Sequence, residues 1–316
     1  MGIKHLNNLI QTNAPNSLKK IHFNELSGKK IVVDISIYLY RFVSEDVLLE
    51  NLYLMISLFR NYNIIPLFIF DGKPPIEKKE ELKKRKLIKK EAEDKFNQLQ
   101  VNILDDTTKT QEEINNIQEE MCCLKKQFIK LKMKHIEQAK LLITSYGMTY
   151  IEAPGEADKL CAKMVLKNRA YACMSEDMDL FVYGCTRVLR YISLLQKTFI
   201  MYDFKNILKD LSLNVENFKQ ICIVSGTDYN INTTISLSKS IKYFNKFKKS
   251  KEPDFLLWLE KNKYIDNIIE LYDIENMFNL SLDQTLNNYI NINIINGPIN
   301  KYNLCEVMKQ EHFIFV

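Results

Sequence analysis

Seven carboxylates in the sequence have the residue types and positions that metal-dependent phosphate chemistry requires. They are Asp34, Asp71, Glu156, Asp158, Asp177, Asp179 and Asp228. Gathered at one edge of a fold, they would repel one another strongly, and a divalent cation is the simplest compensation. Because the set offers only oxygen ligands, it favours Mg²⁺ or Mn²⁺. Two such ions side by side are a known arrangement for cleaving phosphodiester bonds.

Each of these acids also has an ordinary structural explanation. An Asp that follows a strand is often a helix N-cap. Acids in the first turn of a helix suit its dipole, which is sufficient to explain Glu156 and Asp158. Taken singly, each acid is therefore explained more easily by local structure than by metal binding, and only the joint pattern favours a metal site.

Three short apolar runs that end in or are followed by acids predict the strands that would position the first of these residues. They span 29–34, 64–70 and 169–174, and helical patterns over 46–61 and 156–167 separate them. Strands that alternate with helices predict a parallel α/β sheet. Ligands of such sheets bind at the carboxyl ends of the strands, so the acids are expected to converge there. A second strand pair is predicted around 187–192 and 198–201, with mostly helical structure from Leu213 onward.

A helical segment interrupts this α/β pattern between the second and third predicted strands. Apolar residues recur at helical spacing from Ile88 to Ile103 and again from Ile114 to Leu131. A capping box of Thr110 with Glu113 would begin the second helix. The two stripes predict helices that pack on each other as a hairpin.

The charge is concentrated in two basic stretches, although the net charge is only +5. Residues 72–95 hold ten Lys or Arg and six Asp or Glu, and residues 229–251 hold six Lys and no acid. Such stretches suggest a protein that binds a polyanion. On charge alone, solvated Lys-rich faces explain them slightly better. The 46% hydrophobic content indicates a globular protein, no apolar run is long enough for a membrane span, and the odd number of cysteines, seven, indicates a reducing compartment.

Six segments in matching order and spacing resemble the structure-specific 5′ nucleases of the flap endonuclease and XPG type. They are MGI (1–3), IVVDISIYLYRF (31–42), LFIFDGKPP (67–75), YIEAPGEAD (150–158), SEDMDLFVYG (175–184) and ICIVSGTDYN (221–230). FDGKPP and SEDMD together are highly specific. The resemblance is closest to flap endonucleases, because the insert is short and helical.

The resemblance implies a fold and a domain organisation. The fold would be α/β, with a mostly parallel central sheet and flanking helices in a PIN-like nuclease core. That core would span 1–230 and contain a helical arch over 73–135. A helical DNA-binding and C-terminal region would follow over 231–316.

The resemblance also assigns metal-binding roles to the seven acids. Asp34, Asp71, Glu156 and Asp158 match the family's first metal cluster, and Asp177, Asp179 and Asp228 match its second. Two Mg²⁺ ions are expected, with Mn²⁺ able to substitute. Asp158 replaces a family Glu and is one methylene shorter.

Basic residues at the foot of the arch match the family's catalytic cations. Lys78 and Arg85 would approach the scissile phosphate, and their seven-residue spacing puts them on one face of a helix. Lys83 and Lys84 between them would bind DNA. The segment also contains Glu and basic residues at i,i+4 spacing, which is typical of an ordinary solvated helix.

Further DNA contacts follow from the resemblance. Tyr40 matches a tyrosine on which a flap nucleotide stacks, although a core aromatic would fit the position equally well. Gly2 matches a glycine near the bend in the substrate.

A departure from the family occurs after Asp228. The family's glycine-rich turn grips duplex phosphates with backbone amides and a monovalent cation, whereas residues 235–239 lack glycine. Ser236 or Ser238 could still cap a helix there. Three lysines of that helix would bind DNA by charge instead: Lys239, Lys242 and Lys246. A Lys-rich amphipathic helix with buried aromatic residues is nearly as good an explanation.

The resulting expectation is a metal-dependent 5′ flap endonuclease, with 5′→3′ exonuclease activity, in DNA replication, repair or recombination. Its substrate would be branched double-stranded DNA with a 5′ single-stranded flap. A nuclease for four-way junctions or RNA, or a non-catalytic DNA-binding scaffold, are the alternatives. The protein is expected to be an intracellular monomer, in the nucleus of a eukaryote or a viral replication compartment. Residues 310–315 match a sliding-clamp motif only loosely.

Overall fold

Seven strands form one central sheet in the computed structural model, which describes residues 2–105 and 111–309. In chain order they are β1 (Leu18–His22), β2 (Lys30–Asp34), β3 (Ile65–Phe70), β4 (Thr149–Glu152), β5 (Ala172–Met174), β6 (Arg187–Ser193) and β7 (Thr198–Asp203). Across the sheet their order is β1-β7-β6-β5-β2-β3-β4. The five strands from β6 to β4 are parallel, whereas β7 pairs antiparallel with β6 and β1. The predicted mostly parallel sheet is confirmed.

Fifteen α-helices surround the sheet in the described residues. They are α1 (Leu6–Asn13), α2 (Ile35–Ser44), α3 (Leu48–Asn61), α4 (Lys79–Asp105), α5 (Gln111–Phe128), α6 (Met133–Ser145), α7 (Ala157–Leu166), α8 (Asp179–Val182), α9 (Phe204–Leu211), α10 (Val215–Ser225), α11 (Leu237–Phe247), α12 (Phe255–Lys261), α13 (Ile268–Met277), α14 (Asn287–Ile290) and α15 (Lys301–Lys309). None of these described helices is both long enough and apolar enough to cross a membrane.

The central strands are apolar on both sides because helices cover both faces of the sheet. In β2, Val32 belongs to one buried cluster, and Ile31 and Val33 belong to the other. The first cluster includes residues of α1, α7, α10, α11 and α12, and the second includes residues of α2, α3, α6 and α15. Alternation along each strand therefore anchors helices on both faces.

All five predicted strands are present, and the ends of four of them lie within two residues of the predicted ends. The third predicted strand is shorter than 169–174 and comprises only Ala172–Met174. The chain turns after α7 through Asn168, which has a φ of 56°, and the amide of Arg169 donates to the carbonyl of Met164. This turn uses the residues that would otherwise have begun the strand. The sequence patterns missed β1 and β4.

The predicted helical hairpin is confirmed in α4 and α5. The rings of Phe96 and Phe128 meet edge to face with centroids 5.4 Å apart, and Ala92 and Leu124 are buried. After the hairpin, α6 packs back against the second cluster. Thr110 of the expected capping box lies outside the described residues.

A helix–turn–helix forms from α10 and α11 despite the absence of glycine at 235–239. The Ser236 side chain caps α11 by accepting a hydrogen bond from the amide of Lys239 at 3.4 Å. The loosely clamp-like residues 310–315 lie outside the described part of the chain.

Candidate active site

Three neighbouring parallel strands carry acids to the same edge of the sheet. Asp34 is the last residue of β2, Asp71 directly follows β3, and Asp177 lies in the loop after β5. Since β5, β2 and β3 are adjacent and parallel, their carboxyl ends coincide. The sheet topology thus brings together residues that are far apart in the sequence.

Six of the seven predicted acids line a single cavity of about 140 Å³ at this edge. They are Asp34, Asp71, Glu156, Asp158, Asp177 and Asp228. The same cavity is lined by Lys78 and Arg85 from the foot of the arch and by Tyr40 from α2. The seventh acid, Asp179, is buried beside Asp177, whose carboxylate accepts its amide hydrogen at 3.0 Å.

Local hydrogen bonds fix the carboxylates on the strands. The hydroxyl of Ser175 donates to Asp34 Oδ2 at 2.9 Å and accepts from the amide of Asp177 at 3.1 Å. Asp71 Oδ1 accepts from the amide of Ala157 at 2.9 Å, so it satisfies the first turn of α7 from outside that helix. Asp71 is thus not an N-cap of the helix after its own strand, and Asp34, which occupies the N-cap position of α2, makes no side-chain capping bond there.

A close backbone contact holds the loops after β3 and β4 together. The amide of Gly72 donates to the carbonyl of Gly155 at 2.7 Å. A Cβ on Gly72 would lie 2.1 Å from the carbonyl oxygen of Ala153, so only glycine fits. This contact keeps Asp71 next to the start of α7, which carries Glu156 and Asp158.

Gly2 packs against two of the acids, Asp177 and Asp179. Its φ is +74°, and a Cβ there would lie 2.4 Å from Asp179 Oδ1 and 2.5 Å from Asp177 Oδ1. Asp179 is 1% exposed, and neither of its carboxylate oxygens has a hydrogen-bond partner among the described residues. An ionised carboxylate buried in this way needs a compensating cation.

The electrostatics of the cavity point in the same direction. Burial is the largest cause that raises the pKa of Asp34, Asp158 and Asp179 well above the ordinary value. Repulsion by a neighbouring carboxylate is the next cause in each case. The fold has thus placed negative charges where they disfavour one another.

Lys78 forms ion pairs with two of the site's carboxylates. Its ammonium group lies 2.5 Å from Glu156 Oε1 and 3.1 Å from Asp228 Oδ2. Burial by itself would lower the pKa of Lys78, but attraction to Asp158, Glu156 and Asp228 outweighs burial and raises the pKa above its usual range. Arg85 Nη2 lies 3.3 Å from Asp228 Oδ2, and its Nε pairs with Glu81. Both predicted catalytic cations therefore reach the carboxylates.

The donor set fits a hard divalent cation. It consists of oxygens only, and the buried carboxylate of Asp179 lacks a partner in the described structure. Among the side chains that the structure describes, no three of His, Cys, Asp or Glu stand close enough to ligate one ion as they are arranged. Part of the reason is that Glu156 and Asp228 are each paired with the Lys78 ammonium group. The assignment of individual ligands stays a prediction.

Two residues of the site were missed by the sequence reasoning. Ser175 holds Asp34, and Tyr229 donates from its hydroxyl to Glu156 Oε2 at 3.0 Å. The ring of Tyr229 also lies under the Lys78 ammonium at 5.2 Å, and burial raises the pKa of Tyr229 above its usual range. Their positions in the matched motifs could have indicated a role in the site, since Ser175 opens SEDMD and Tyr229 directly follows Asp228 in SGTDYN.

Tyr40 faces the cavity and solvent and is not a core aromatic. It is 44% exposed, and the ammonium of Lys89 lies 5.1 Å from its ring centroid. Lys83 and Lys84 are exposed on α4. Lys84 also lines a neighbouring cavity of about 630 Å³ together with Gly2, Arg85 and Ser236.

The three predicted DNA-binding lysines of α11 are exposed and lie away from the acidic cavity: Lys239, Lys242 and Lys246. The aromatic residues between them are packed inward. Phe244 is 1% exposed, and the ring of Tyr243 stacks on Tyr264 with centroids 4.1 Å apart. This confirms the amphipathic helix with packed aromatics and leaves charge as the means by which α11 can contact a polyanion.

Two family models match the chain. The XPG N-terminal domain matches residues 1–92, and the XPG I-region matches residues 147–228. Together they contain all seven predicted acids, Lys78 and Arg85. The unmatched stretch between them contains most of the arch.

Curated relatives that match the chain carry the name flap endonuclease 1. The Candida tropicalis protein is 32% identical over 249 residues, which is 72% of this chain and 63% of the relative. The Meyerozyma guilliermondii protein is 30% identical over 288 residues, or 83% and 71%. The Danio rerio protein is 32% identical over 247 residues, or 72% and 62%. The chain therefore spans about two thirds of the length of these relatives, and less than that of two of them.

Solved structures share the fold. The catalytic core of Rad2 in complex with DNA substrate gives a TM-score of 0.67 at 21% identity and covers 98% of this chain and 95% of that one. Human GEN1 in complex with Holliday junction DNA gives 0.65 at 16% identity, covering 98% and 74%. Flap endonuclease-1 from Methanococcus jannaschii gives 0.53 at 20% identity, covering 92% and 94%. The overall fold of this chain is thus shared with known structures.

Proposed function

This chain belongs to the family of flap endonuclease and XPG-type nucleases, and from that premise we propose that it is a divalent-metal-dependent 5′ nuclease. Its substrate is branched DNA with a 5′ single-stranded flap, which it cuts near the base of the flap. The same site removes nucleotides from 5′ ends as an exonuclease. The protein acts as an intracellular monomer in DNA replication, repair or recombination.

One observation carries this proposal. Six carboxylates gathered beside the carboxyl edge of the sheet and two cations from the base of a helical hairpin line a single cavity. A phosphodiester that enters this cavity would meet oxygen ligands for metal ions together with the Lys78 and Arg85 donors. Such a combination suits metal-assisted phosphate hydrolysis.

The metal would be held by two groups of acids. Asp34, Asp71, Glu156 and Asp158 would form the first, and Asp177, Asp179 and Asp228 the second. When bound, two Mg²⁺ ions would lower the pKa of a water and stabilise negative charge on the phosphate, and Mn²⁺ would suit the same oxygens.

The chain's own residues supply the rest of the chemistry. Lys78 and Arg85 donate hydrogen bonds to phosphate oxygens on which charge develops, which is where such donors accelerate a reaction. Tyr40 offers its exposed ring to a nucleotide base. Lys83, Lys84 and the exposed lysines of α11 attract the phosphate backbone.

Cleavage of four-way junctions is the second candidate, supported only by the fold shared with GEN1 bound to a Holliday junction. The relatives named flap endonuclease 1, found over 72% to 83% of the chain, favour the flap. A non-catalytic scaffold would have no need of all seven acids, which are present.

A labelled 5′-flap duplex in Mg²⁺ tests the proposal. We expect the wild type to cut near the flap base. Asp177→Ala should lose about 10²–10³-fold or more in rate and keep its DNA affinity in Ca²⁺. The control is Glu306→Gln on α15, a helix that packs in the second apolar cluster and does not line the acidic cavity.

Two results would contradict the proposal. Binding without cleavage by the wild type in both Mg²⁺ and Mn²⁺ would favour the scaffold. Faster cleavage of a four-way junction than of the flap would favour a junction nuclease.

A further inference from the structure

We propose that Tyr229 is a positioning residue that holds Glu156 in its productive orientation while Lys78 engages the substrate. The inference deepens the proposed function and rests on it for the role of Lys78. Tyr229 itself touches no reacting atom in this scheme and acts through the carboxylate of Glu156.

The contacts of Glu156 show why it needs such a residue. Glu156 stands at the N-cap of α7, but its side chain makes no capping hydrogen bond to that helix. Asp71 accepts the amide hydrogen of Ala157 instead. The carboxylate of Glu156 is therefore oriented by side chains from other elements, and its own helix does not hold it.

Two of those side chains take one oxygen each. Lys78 lies 2.5 Å from Oε1, and the Tyr229 hydroxyl donates to Oε2 at 3.0 Å. The Lys78 ammonium has three N–H donors and already contacts both Glu156 and Asp228, so a phosphate oxygen that enters the cavity competes with these carboxylates for it. When Lys78 turns to the substrate, the hydroxyl of Tyr229 is the remaining side-chain hydrogen bond to Glu156 among the described residues.

Tyr229 is placed rigidly enough for this task. Its ring meets Phe278 edge to face with centroids 5.5 Å apart, which holds the ring independently of its hydroxyl. Its amide donates to the hydroxyl of Thr227 at 3.1 Å, which fixes the turn around Asp228. Tyr229 thus connects Glu156 of the first predicted metal group with Asp228 of the second.

The test compares Tyr229→Phe with Tyr183→Phe. Each substitution removes one hydroxyl and keeps the ring, but only the first removes the hydrogen bond to Glu156. Mn²⁺ binding to the DNA-free protein is measured by titration with detection of free Mn²⁺. Single-turnover cleavage of the 5′ flap is measured against Mg²⁺ concentration, with DNA affinity in Ca²⁺ and the melting temperature alongside.

For Tyr229→Phe we expect Mn²⁺ affinity to fall about 10-fold, within the range found for residues that orient metal ligands. Cleavage should fall at limiting Mg²⁺ and recover at high Mg²⁺, with DNA affinity and melting temperature unchanged. Tyr183→Phe should behave as the wild type in every measurement.

Three results would overturn the inference: equal Mn²⁺ affinity in Tyr229→Phe and wild type, an equal loss in Tyr183→Phe, or a Tyr229→Phe loss matched by a lower melting temperature. The Mn²⁺ titration is independent of substrate. If the wild type does not cut flap DNA but Tyr229→Phe still binds Mn²⁺ more weakly, the proposed function fails and the positioning of Glu156 stands.

Discussion

At the residue scale, Asp179 is a buried acid whose negative charge lowers the stability of the folded protein. Its carboxylate is 1% exposed and has no hydrogen-bond partner in the described structure. Burial, followed by repulsion from Asp177, raises its pKa well above the ordinary value of 3.8. The folded protein therefore holds a proton on Asp179 more tightly than the unfolded chain does.

This difference predicts how stability depends on pH. A raised carboxylate pKa makes the stability contribution greatest at low pH, and the contribution falls as the pH rises from the unfolded pKa through the folded one. In EDTA at about pH 7.5, Asp179→Asn should therefore melt a few degrees higher than wild type, and the gap should shrink toward about pH 4. Differential scanning fluorimetry across this range measures it.

The control for Asp179→Asn is Asp266→Asn, which alters an exposed acid. It should melt like the wild type at every pH. A second readout is the effect of Mg²⁺, which should raise the melting temperature of the wild type more than that of Asp179→Asn. Identical melting of Asp179→Asn and wild type in EDTA near neutral pH would contradict the prediction.

The seven acids could be predicted from the sequence because each follows a strand or lies at the beginning or end of a helix. Tyr229 directly follows Asp228 in the sequence, but its role could not be predicted because it depends on a contact with Glu156 across 73 positions of the chain. No local pattern predicts that the turn after α10 packs beside the start of α7. The same holds for Ser175, whose partner Asp34 is on the neighbouring strand.

At the scale of elements, the base of the helical hairpin delivers two cations of different exposure to one cavity. Lys78 ends a short 3-10 turn directly before α4, and Arg85 lies in α4, so the two do not share one helix as the sequence spacing predicted. The side chain of Lys78 is 8% exposed, whereas that of Arg85 is 44% exposed. Both contact Asp228. A hairpin base with this placement can aim donors at a phosphate without contributing most of the binding energy.

Lys78→Ala and Arg85→Ala should accordingly slow the chemical step more than they weaken binding. We expect cleavage at saturating flap DNA to fall about 10²–10³-fold, the size of effect seen when a transition-state donor is removed. DNA affinity in Ca²⁺, measured by fluorescence anisotropy, should be nearly unchanged. Lys86→Ala, an exposed lysine of α4, is the matched control. Equal losses in rate and affinity would make Lys78 and Arg85 ordinary phosphate anchors.

The strands that the sequence predicted and those that it missed differ in their place in the sheet. β2 and β3 are central and apolar on both faces, so their hydrophobic runs are unmistakable. β1 and β4 are the two edges. β1 contains Lys19 and Lys20, which suit an exposed edge and erase the strand pattern.

Across the whole molecule, the sheet separates two apolar clusters, and exposed lysines lie on helices that pack in each of them. α11 packs in the first cluster and α15 in the second, so their exposed lysines lie over opposite faces. The overall charge of +5 does not show this difference. If DNA lies across the arch and α11, only the lysines of that side should matter.

The double substitution Lys242→Ala with Lys246→Ala should therefore reduce the salt dependence of DNA binding. The slope of log affinity against log salt should become shallower by about 1 for each lysine that contacts a phosphate. Anisotropy titrations between about 50 and 200 mM KCl measure the slope. The control is Lys301→Ala with Lys309→Ala on α15. An equal change of slope in both double variants would show that α11 does not contact the DNA.

The hydrogen bond between Gly72 and Gly155 has a consequence for how this architecture can vary. β3 and β4 are neighbouring strands, so the sheet and this bond already hold the two ends of the intervening segment side by side. The conformational entropy of closing that loop grows only with the logarithm of its length, about 0.6 kcal/mol for each doubling. The entropy cost of closing the loop is therefore nearly the same for a short hairpin as for a long one. A change in the length of the hairpin is therefore expected to cost little folding free energy, so this length can vary while the acidic edge of the sheet stays in place.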